Sequence, residues 1–222
     1  MNDHQSTLTA DVLLARIGRE RVVAIIRGRD ADASVATCLT LVDAGISMLE
    51  VSLTTERALE VIERVAGELP ADVLLGAGTV VDPADVSRVI DAGARYLVTP
   101  SLAPSLEMAA EMAIPVLAGA MTPTEAAEAH RRGAAAVKIF PAGALGPGYL
   151  RALRDPFPDI PLLAVGGVDA ESGRAYLEAG AIGLGVGSPL CGDAPHGGDL
   201  DALRERAAAF TALAARETEA LS

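Results

Sequence analysis

Short β-branched apolar runs alternate with alanine-rich segments of helical period along the whole chain. The runs at 22–26 (VVAII), 48–53 (MLEVSL), 73–77 (VLLGA), 96–99 (YLVT), 115–118 (PVLA), 136–140 (AVKIF), 161–165 (PLLAV) and 182–186 (IGLGV) predict eight strands. Between and after them, Ala, Leu and Glu or Arg at helical spacing predict helices over 31–44, 55–68, 83–92, 104–112, 122–132, 147–154, 170–179 and 199–217. One further helix, over about 8–19, precedes the first strand.

Local signals support these boundaries. Thr122, Pro123 and Glu125 supply a cap, a first-turn proline and a capping-box acid in one segment. Gly45, Gly93, Gly133 and Gly180 follow helix ends and lead into the second, fourth, sixth and eighth strands, at separations of 48, 40 and 47 residues. That spacing describes a repeated βαβα unit. Strands apolar on both faces, with helices between them, belong in a parallel sheet covered by helices. The predicted fold is therefore α/β, a (β/α)₈ TIM barrel with an additional N-terminal helix. One domain spans 1–222, with the helix at about 8–19 and the barrel at 20–217. A doubly wound open sheet is the alternative, weakened by IIRGRDAD where GxGxxG would follow the first strand.

Composition narrows the partners. Hydrophobic residues make up 50% of the 222 and aromatics only 3%, with no Trp, so the core is built from Ala, Val, Leu and Ile. Thirty acidic against 18 basic residues give a net charge of -12, which disfavours a nucleic-acid partner but leaves room for a small anion held by local donors. No apolar run reaches the ~18 residues of a membrane span. The N-terminal MNDHQSTLTADVLL carries acids where a signal peptide carries positive charge, so a cytoplasmic location is expected. Cys38 and Cys191 read as buried thiols. His4, His130 and His196 have no ligand spacing, which leaves metal catalysis little footing.

In a barrel the chemistry sits at the C-terminal strand ends. There the chain offers Arg27, Glu50, Thr79, Thr99, Pro100, Lys138, Gly166, Gly167, Gly187 and Ser188. Lys138 and Glu50 are charges inside apolar runs. Lys138 either snorkels or pairs structurally, or is a desolvated amine that attacks a carbonyl to form a Schiff base. Glu50 is either its salt-bridge partner or a carboxylate that moves protons beside that imine. VGGV at 165–168 and GVGS at 185–188 are either tight turns or, together, backbone donors at the usual phosphate position, with Ser188 adding a hydroxyl. Arg27 is a surface residue or an anion-binding fork. Thr79 is a carboxylate donor or a turn and cap residue. Phe140 and Pro100 shape an apolar wall.

EVSLTT at 50–55, GAGTV at 76–80, VTPSLAP at 98–104, GAMTPTE at 119–125, VKIFPA at 137–142, GPGYLRALRDPFP at 146–158, VGGV and GVGSPL at 185–190 resemble the 2-keto-3-deoxy-6-phosphogluconate aldolases. That group includes the 2-keto-3-deoxy-6-phosphogalactonate and 4-hydroxy-2-oxoglutarate aldolases. The resemblance implies a (β/α)₈ barrel, usually a homotrimer. It implies Lys138 as Schiff-base lysine and Glu50 as proton-transfer group, with Thr79, Pro100 and Phe140 around the pyruvate part. Arg27 would hold the anionic substrate, and Gly166, Gly167, Gly187 and Ser188 its phosphate. The implied partner is a small phosphorylated 2-keto acid, cleaved to pyruvate and glyceraldehyde 3-phosphate with no metal or organic cofactor. Thr54, Ala118 and Val165 depart from the arginine, proline and threonine often found at these positions, and are expected to affect the substrate more than the fold. A phosphosugar isomerase or epimerase, or a noncatalytic phosphometabolite-binding protein, would use the same glycine stretches.

Overall fold

The computed structural model describes residues 8–219. The apolar runs become β1 (Val22–Ile26), β2 (Met48–Ser52), β3 (Leu74–Gly78), β4 (Tyr96–Val98), β5 (Val116–Ala120), β6 (Ala136–Ile139), β7 (Leu162–Val165) and β8 (Gly183–Val186). They pair in parallel in chain order and close, with Val22 opposite Leu184 and Ala24 opposite Val186. Closure excludes the open sheet. The helices are α1 (Ala10–Glu20), α2 (Ala31–Asp43), α3 (Ala58–Glu68), α4 (Pro83–Asp91), α5 (Ser105–Glu111), α6 (Pro123–Arg131), α7 (Ala142–Leu145), α8 (Pro147–Arg154), α9 (Ala170–Glu178), α10 (Ser188–Cys191) and α11 (Leu200–Glu219), with a 3₁₀ turn at Ala194–His196. Among the described residues no helix is long and apolar enough to cross a membrane.

The strand pleat sorts the core into two layers. Outward positions such as Ala24, Val51, Ala77, Leu97, Ala118, Val137 and Ala164 pack against the helices. Inward positions Val23, Met48, Leu74, Tyr96, Leu117 and Leu163 fill the barrel, and Leu13 and Ile17 of α1 join them from its N-terminal end. Gly183 leaves room for this plug, since a Cβ there would stand 2.7 Å from Ile17 Cγ2. Leu13 and Ile17 are fully buried, so cutting either to alanine would cost about 2–5 kcal/mol. The plug leaves only the C-terminal end open to a ligand.

The capping box expected at α6 is present: Thr122 Oγ1 accepts the Glu125 N–H at 3.3 Å, and Glu125 accepts the Thr122 N–H at 2.8 Å. The Met121 N–H, with the N–H and hydroxyl of Thr122, holds the Glu125 carboxyl below the usual carboxylate range. The four helix-end glycines take φ of +89, +109, +84 and +96°, as left-handed C-caps require.

Most boundaries fall within two residues of expectation; β5 and α3 are instructive shifts, and three elements are unexpected. The second-half residues Gly119 and Ala120 extend β5 beyond 118, because Gly119 lets the Pro100 backbone cross it; a Cβ there would lie 2.2 Å from the Pro100 carbonyl carbon. α3 begins at Ala58 rather than 55, since Thr55 and Glu56 donate their N–H groups to Ser52 and Gly28 carbonyls in the preceding turn. α7, α10 and the 3₁₀ turn are unpredicted: three or four residues display no helical period. His4 lies outside the described residues, as do both ends of the 1–222 domain expectation.

Candidate active site

Alternation along β2 turns Met48, Glu50 and Ser52 inward, and alternation along β6 turns Ala136 and Lys138 inward. Glu50 is 3% exposed and Lys138 7%. The glycines of β3 make room for what faces them. A Cβ at Gly76 would stand 2.4 Å from the Tyr96 ring, and one at Gly78 would stand 1.8 Å from Glu50 Oε1. Tyr96, wholly buried, spans the barrel and donates its hydroxyl to the Leu49 carbonyl at 2.7 Å. It forms a floor level with Glu50, which pairs with Gly76 in the β2–β3 register as Gly76 pairs with Tyr96 in β3–β4.

Burial pushes the Glu50 carboxyl above the usual carboxylate range, while the charges of Lys138 and Arg27 pull it back. Among the described residues neither Glu50 nor Lys138 forms a direct ion pair, so a closed buried salt bridge does not account for them. A carboxyl biased toward its neutral form but within the field of two cations is suited to taking and returning protons. The Tyr96 hydroxyl is held protonated by burial and by the nearby Glu50. Phe140 stands beside Lys138, its ring centroid 5.2 Å from Nζ.

Above this level a hydroxyl chain links the buried Ser52 to Thr54 and Thr79 in the cavity wall. Ser52 Oγ lies 2.9 Å from Thr79 Oγ1 and 2.8 Å from Thr54 Oγ1, and accepts the Thr54 N–H at 3.3 Å. The cap role weighed for Thr79 belongs to Asp82, whose carboxylate accepts the Ala84 N–H at 2.8 Å. On the other side, Gly166 and Gly167 take φ of +87 and +74°. The Gly166 carbonyl accepts the Gly143 N–H at 2.8 Å, and a Cβ on Gly166 would press to 2.8 Å from the Phe140 ring. The strand-six and strand-seven loops are thereby locked together. Gly187 and Ser188 open α10, and the Ser188 hydroxyl has no hydrogen bond among the described residues.

One cavity of about 680 Å³ gathers all of these ends. Arg27, Glu50, Thr79, Pro100, Lys138, Phe140, Gly166, Gly167, Gly187 and Ser188 all line it, and so do Thr54 and Val165. Thr99 does not; its hydroxyl donates to the Ser101 carbonyl and accepts the Gly119 N–H. Ala118 does not either: it is an outward β5 residue in the layer beneath the helices, so its departure bears on packing rather than on the substrate.

Sequence reasoning missed three polar residues at or beside the site, Ser52, Arg29 and His196. Ser52 follows from alternation, two residues beyond an inward Glu50. Arg29 and His196 also line the cavity, brought together by the unpredicted 3₁₀ turn. Lys138 is the only lysine of the chain, a signal open to simple counting. Cys191 is buried as expected, its thiol pushed up to about 12 by desolvation. Among the described residues no group of three or more His, Cys, Asp or Glu is arranged to hold a metal ion.

The family model for KDPG and KHG aldolase matches residues 14–205. A probable 2-dehydro-3-deoxy-6-phosphogalactonate aldolase of Rhizobium meliloti (strain 1021) is 35% identical over 193 residues, 86% of this chain and 90% of the relative. A 2-dehydro-3-deoxy-phosphogluconate aldolase of Dickeya dadantii (strain 3937) is 35% identical over 198 residues, 86% and 92% of the two chains. The crystal structure of KDPG aldolase from Legionella pneumophila, with pyruvate captured at low pH as a covalent carbinolamine intermediate, has a TM-score of 0.78 to this chain at 25% identity. That likeness covers 94% of this chain and 98% of the other. With most of the barrel matched by the family model and by relatives at 35% identity, the chain belongs to the KDPG and KHG aldolase family.

Proposed function

We propose that the protein is a class I aldolase that cleaves 2-keto-3-deoxy-6-phosphogluconate to pyruvate and glyceraldehyde 3-phosphate through an imine at Lys138. The observation that carries this reading is the burial of the chain's only lysine in one cavity with a buried Glu50 whose carboxyl desolvation pushes above the usual carboxylate range. The carbinolamine with pyruvate in the Legionella relative supports the same attack here.

The Lys138 amine adds to C2 of the keto acid, and Glu50 returns a proton to the departing hydroxyl as the imine forms. The C3–C4 electron pair then moves into the protonated imine while the C4 hydroxyl gives its proton to Glu50, directly or through a water. Glyceraldehyde 3-phosphate leaves and an enamine of pyruvate remains. Protonation at C3 and addition of water to C2 release pyruvate and restore Lys138. In this reading Thr79 and Arg27 hold the substrate's anionic head. Pro100 and Phe140 wall the three-carbon fragment. Gly166, Gly167, Gly187 and Ser188 present backbone N–H groups and a hydroxyl to the phosphate. No metal or organic cofactor has a role in it. A single barrel domain and a homotrimer complete the proposal, and sedimentation at three chain masses tests the latter.

One observation favours a second reading, the C4 epimer 2-keto-3-deoxy-6-phosphogalactonate. Val165, 4% exposed, gives the cavity wall a methyl surface where the resemblance expects a threonine hydroxyl. The C4 hydroxyl is the group whose configuration differs, and C4 becomes the aldehyde carbon, so both epimers yield the same products. Pyruvate release coupled to lactate dehydrogenase, run on both epimers and on 4-hydroxy-2-oxoglutarate, decides among them by kcat/KM. Val165→Thr should shift the ratio toward the gluconate epimer by about tenfold if the hydroxyl adds one hydrogen bond. Absence of pyruvate from all three substrates would overturn the aldolase reading and favour an isomerase or a binding protein.

A further inference from the structure

Beyond the ends of β1 and β8 the cavity carries a pair of groups with no assigned task. The Arg29 N–H donates to His196 Nδ1 at 3.1 Å. A neutral imidazole that accepts at Nδ1 carries its proton on Nε2, so the ring enters the cavity wall as a donor of fixed tautomer. The turn that bears it is seated on the β1–α2 loop. Ala194 and Pro195 are buried, and a Cβ at Gly28 would stand 2.1 Å from Ser34 Oγ and 2.3 Å from the Pro195 carbonyl oxygen.

Charge points the same way. Arginines on the helical surface such as Arg64, Arg88 and Arg132 are paired with carboxylates. Arg27 and Arg29 form no ion pair among the described residues, although the chain's net charge is -12. Both line the cavity together with Ser188, whose hydroxyl is also unengaged. With Arg27 given to the anionic head, the free Arg29 guanidinium, an imidazole N–H and the Ser188 hydroxyl still meet at one end of the cavity and suit an anion with several acceptor oxygens.

We propose that Arg29 and His196 bind the terminal phosphate of the substrate beside Ser188, and that His196 sets the preference for phosphorylated over unphosphorylated keto acids. This rests on the phosphorylated-substrate reading above. Hydroxyoxoglutarate, whose second carboxylate is bonded directly to C4, is too short to use these donors fully.

The test compares kcat/KM for 2-keto-3-deoxy-6-phosphogluconate and its unphosphorylated form in the parent, His196→Ala, His196→Gln and Arg29→Ser, together with competitive inhibition by inorganic phosphate. Arg29→Ser keeps the backbone N–H that orients the imidazole, and removes an exposed side chain, so it carries the test if the His196 variants lose their fold. The phosphorylated-to-unphosphorylated ratio should fall roughly tenfold or more in His196→Ala and in Arg29→Ser, less in His196→Gln, and the phosphate inhibition constant should rise in parallel. Equal losses on both substrates, an unmoved ratio, or a parent indifferent to phosphate would overturn the proposal. Failure of the parent to release pyruvate would sink the aldolase reading instead, and phosphate binding measured by calorimetry on the same variants would still decide the role of Arg29 and His196.

Discussion

The Glu50 carboxyl occupies the space that a side chain at Gly78 would fill, since a Cβ there would lie 1.8 Å from Oε1 and 2.6 Å from the carboxyl carbon. In the β2–β3 register Gly78 stands opposite Ser52, not Glu50, so the carboxyl leans one inward position toward the open end of the barrel. The glycine therefore aims the acid. Gly78→Ala should leave the fold intact by circular dichroism, because a flexible side chain can move aside, yet lower kcat by roughly 10²-fold, the scale of a lost proton-transfer group. A folded Gly78→Ala variant with near-parent kcat would contradict this placement of the carboxyl.

Glu50→Gln separates chemistry from stability. Turnover should fall by roughly 10²-fold or more, while the amide fills the same volume. Its effect on stability has the opposite sign. Below the ordinary carboxylate value of 4.5 Glu50 is neutral whether folded or unfolded; above it the unfolded chain ionises first, because burial raises the folded pKa, and the folded state loses stability until that raised value is passed. Glu50→Gln removes this loss. The Tm difference between variant and parent should grow in the variant's favour as pH rises from 4 to 7, and a difference independent of pH would contradict the raised carboxyl.

Ser52 is fully buried, accepts the Thr54 N–H, and lies within hydrogen-bond reach of Thr79 Oγ1. If Thr79 gives its proton to a substrate carboxylate, its oxygen must accept from Ser52, so Ser52 orients the donor without touching substrate. Ser52→Ala should raise KM for the keto acid by about three- to tenfold and change kcat far less, the effect of one neutral hydrogen bond lost indirectly. Ser52→Thr should restore KM. Equal falls in kcat and kcat/KM, without rescue by threonine, would make Ser52 merely structural.

The parts of this molecule legible in the sequence are those governed by long repeats. Eight apolar runs and the eight helical segments between and after them place the strands to within a residue or two, and an inward lysine and glutamate are legible because each interrupts an apolar run. Features made by a single close approach were not legible. Gly119 and Ala120 fall outside the apolar run at 115–118 but continue β5, because the missing Cβ serves the passage of the Pro100 backbone. Gly76 reads as one position of the third strand and Gly78 as the residue just past it, and nothing in the sequence marks either as a clearance for Tyr96 and Glu50. His196, 167 positions from Arg29, meets it only through a 3₁₀ turn of three residues, too short to announce itself by period. Ser52 alone among the missed residues was open to inference, from the two-residue repeat that turned Glu50 inward.

The composition of the chain makes covalency at Lys138 unusually clean to test. No other lysine exists to compete, so a pyruvate imine on any ε-amine must be at position 138. Borohydride reduction of the protein with pyruvate, followed by intact mass and peptide mapping, should add one reduced pyruvate per chain on the peptide containing Lys138. Lys138→Arg, which keeps the charge, should abolish both the adduct and pyruvate release. An adduct confined to the N-terminal amine, or full aldolase activity in Lys138→Arg, would contradict the account.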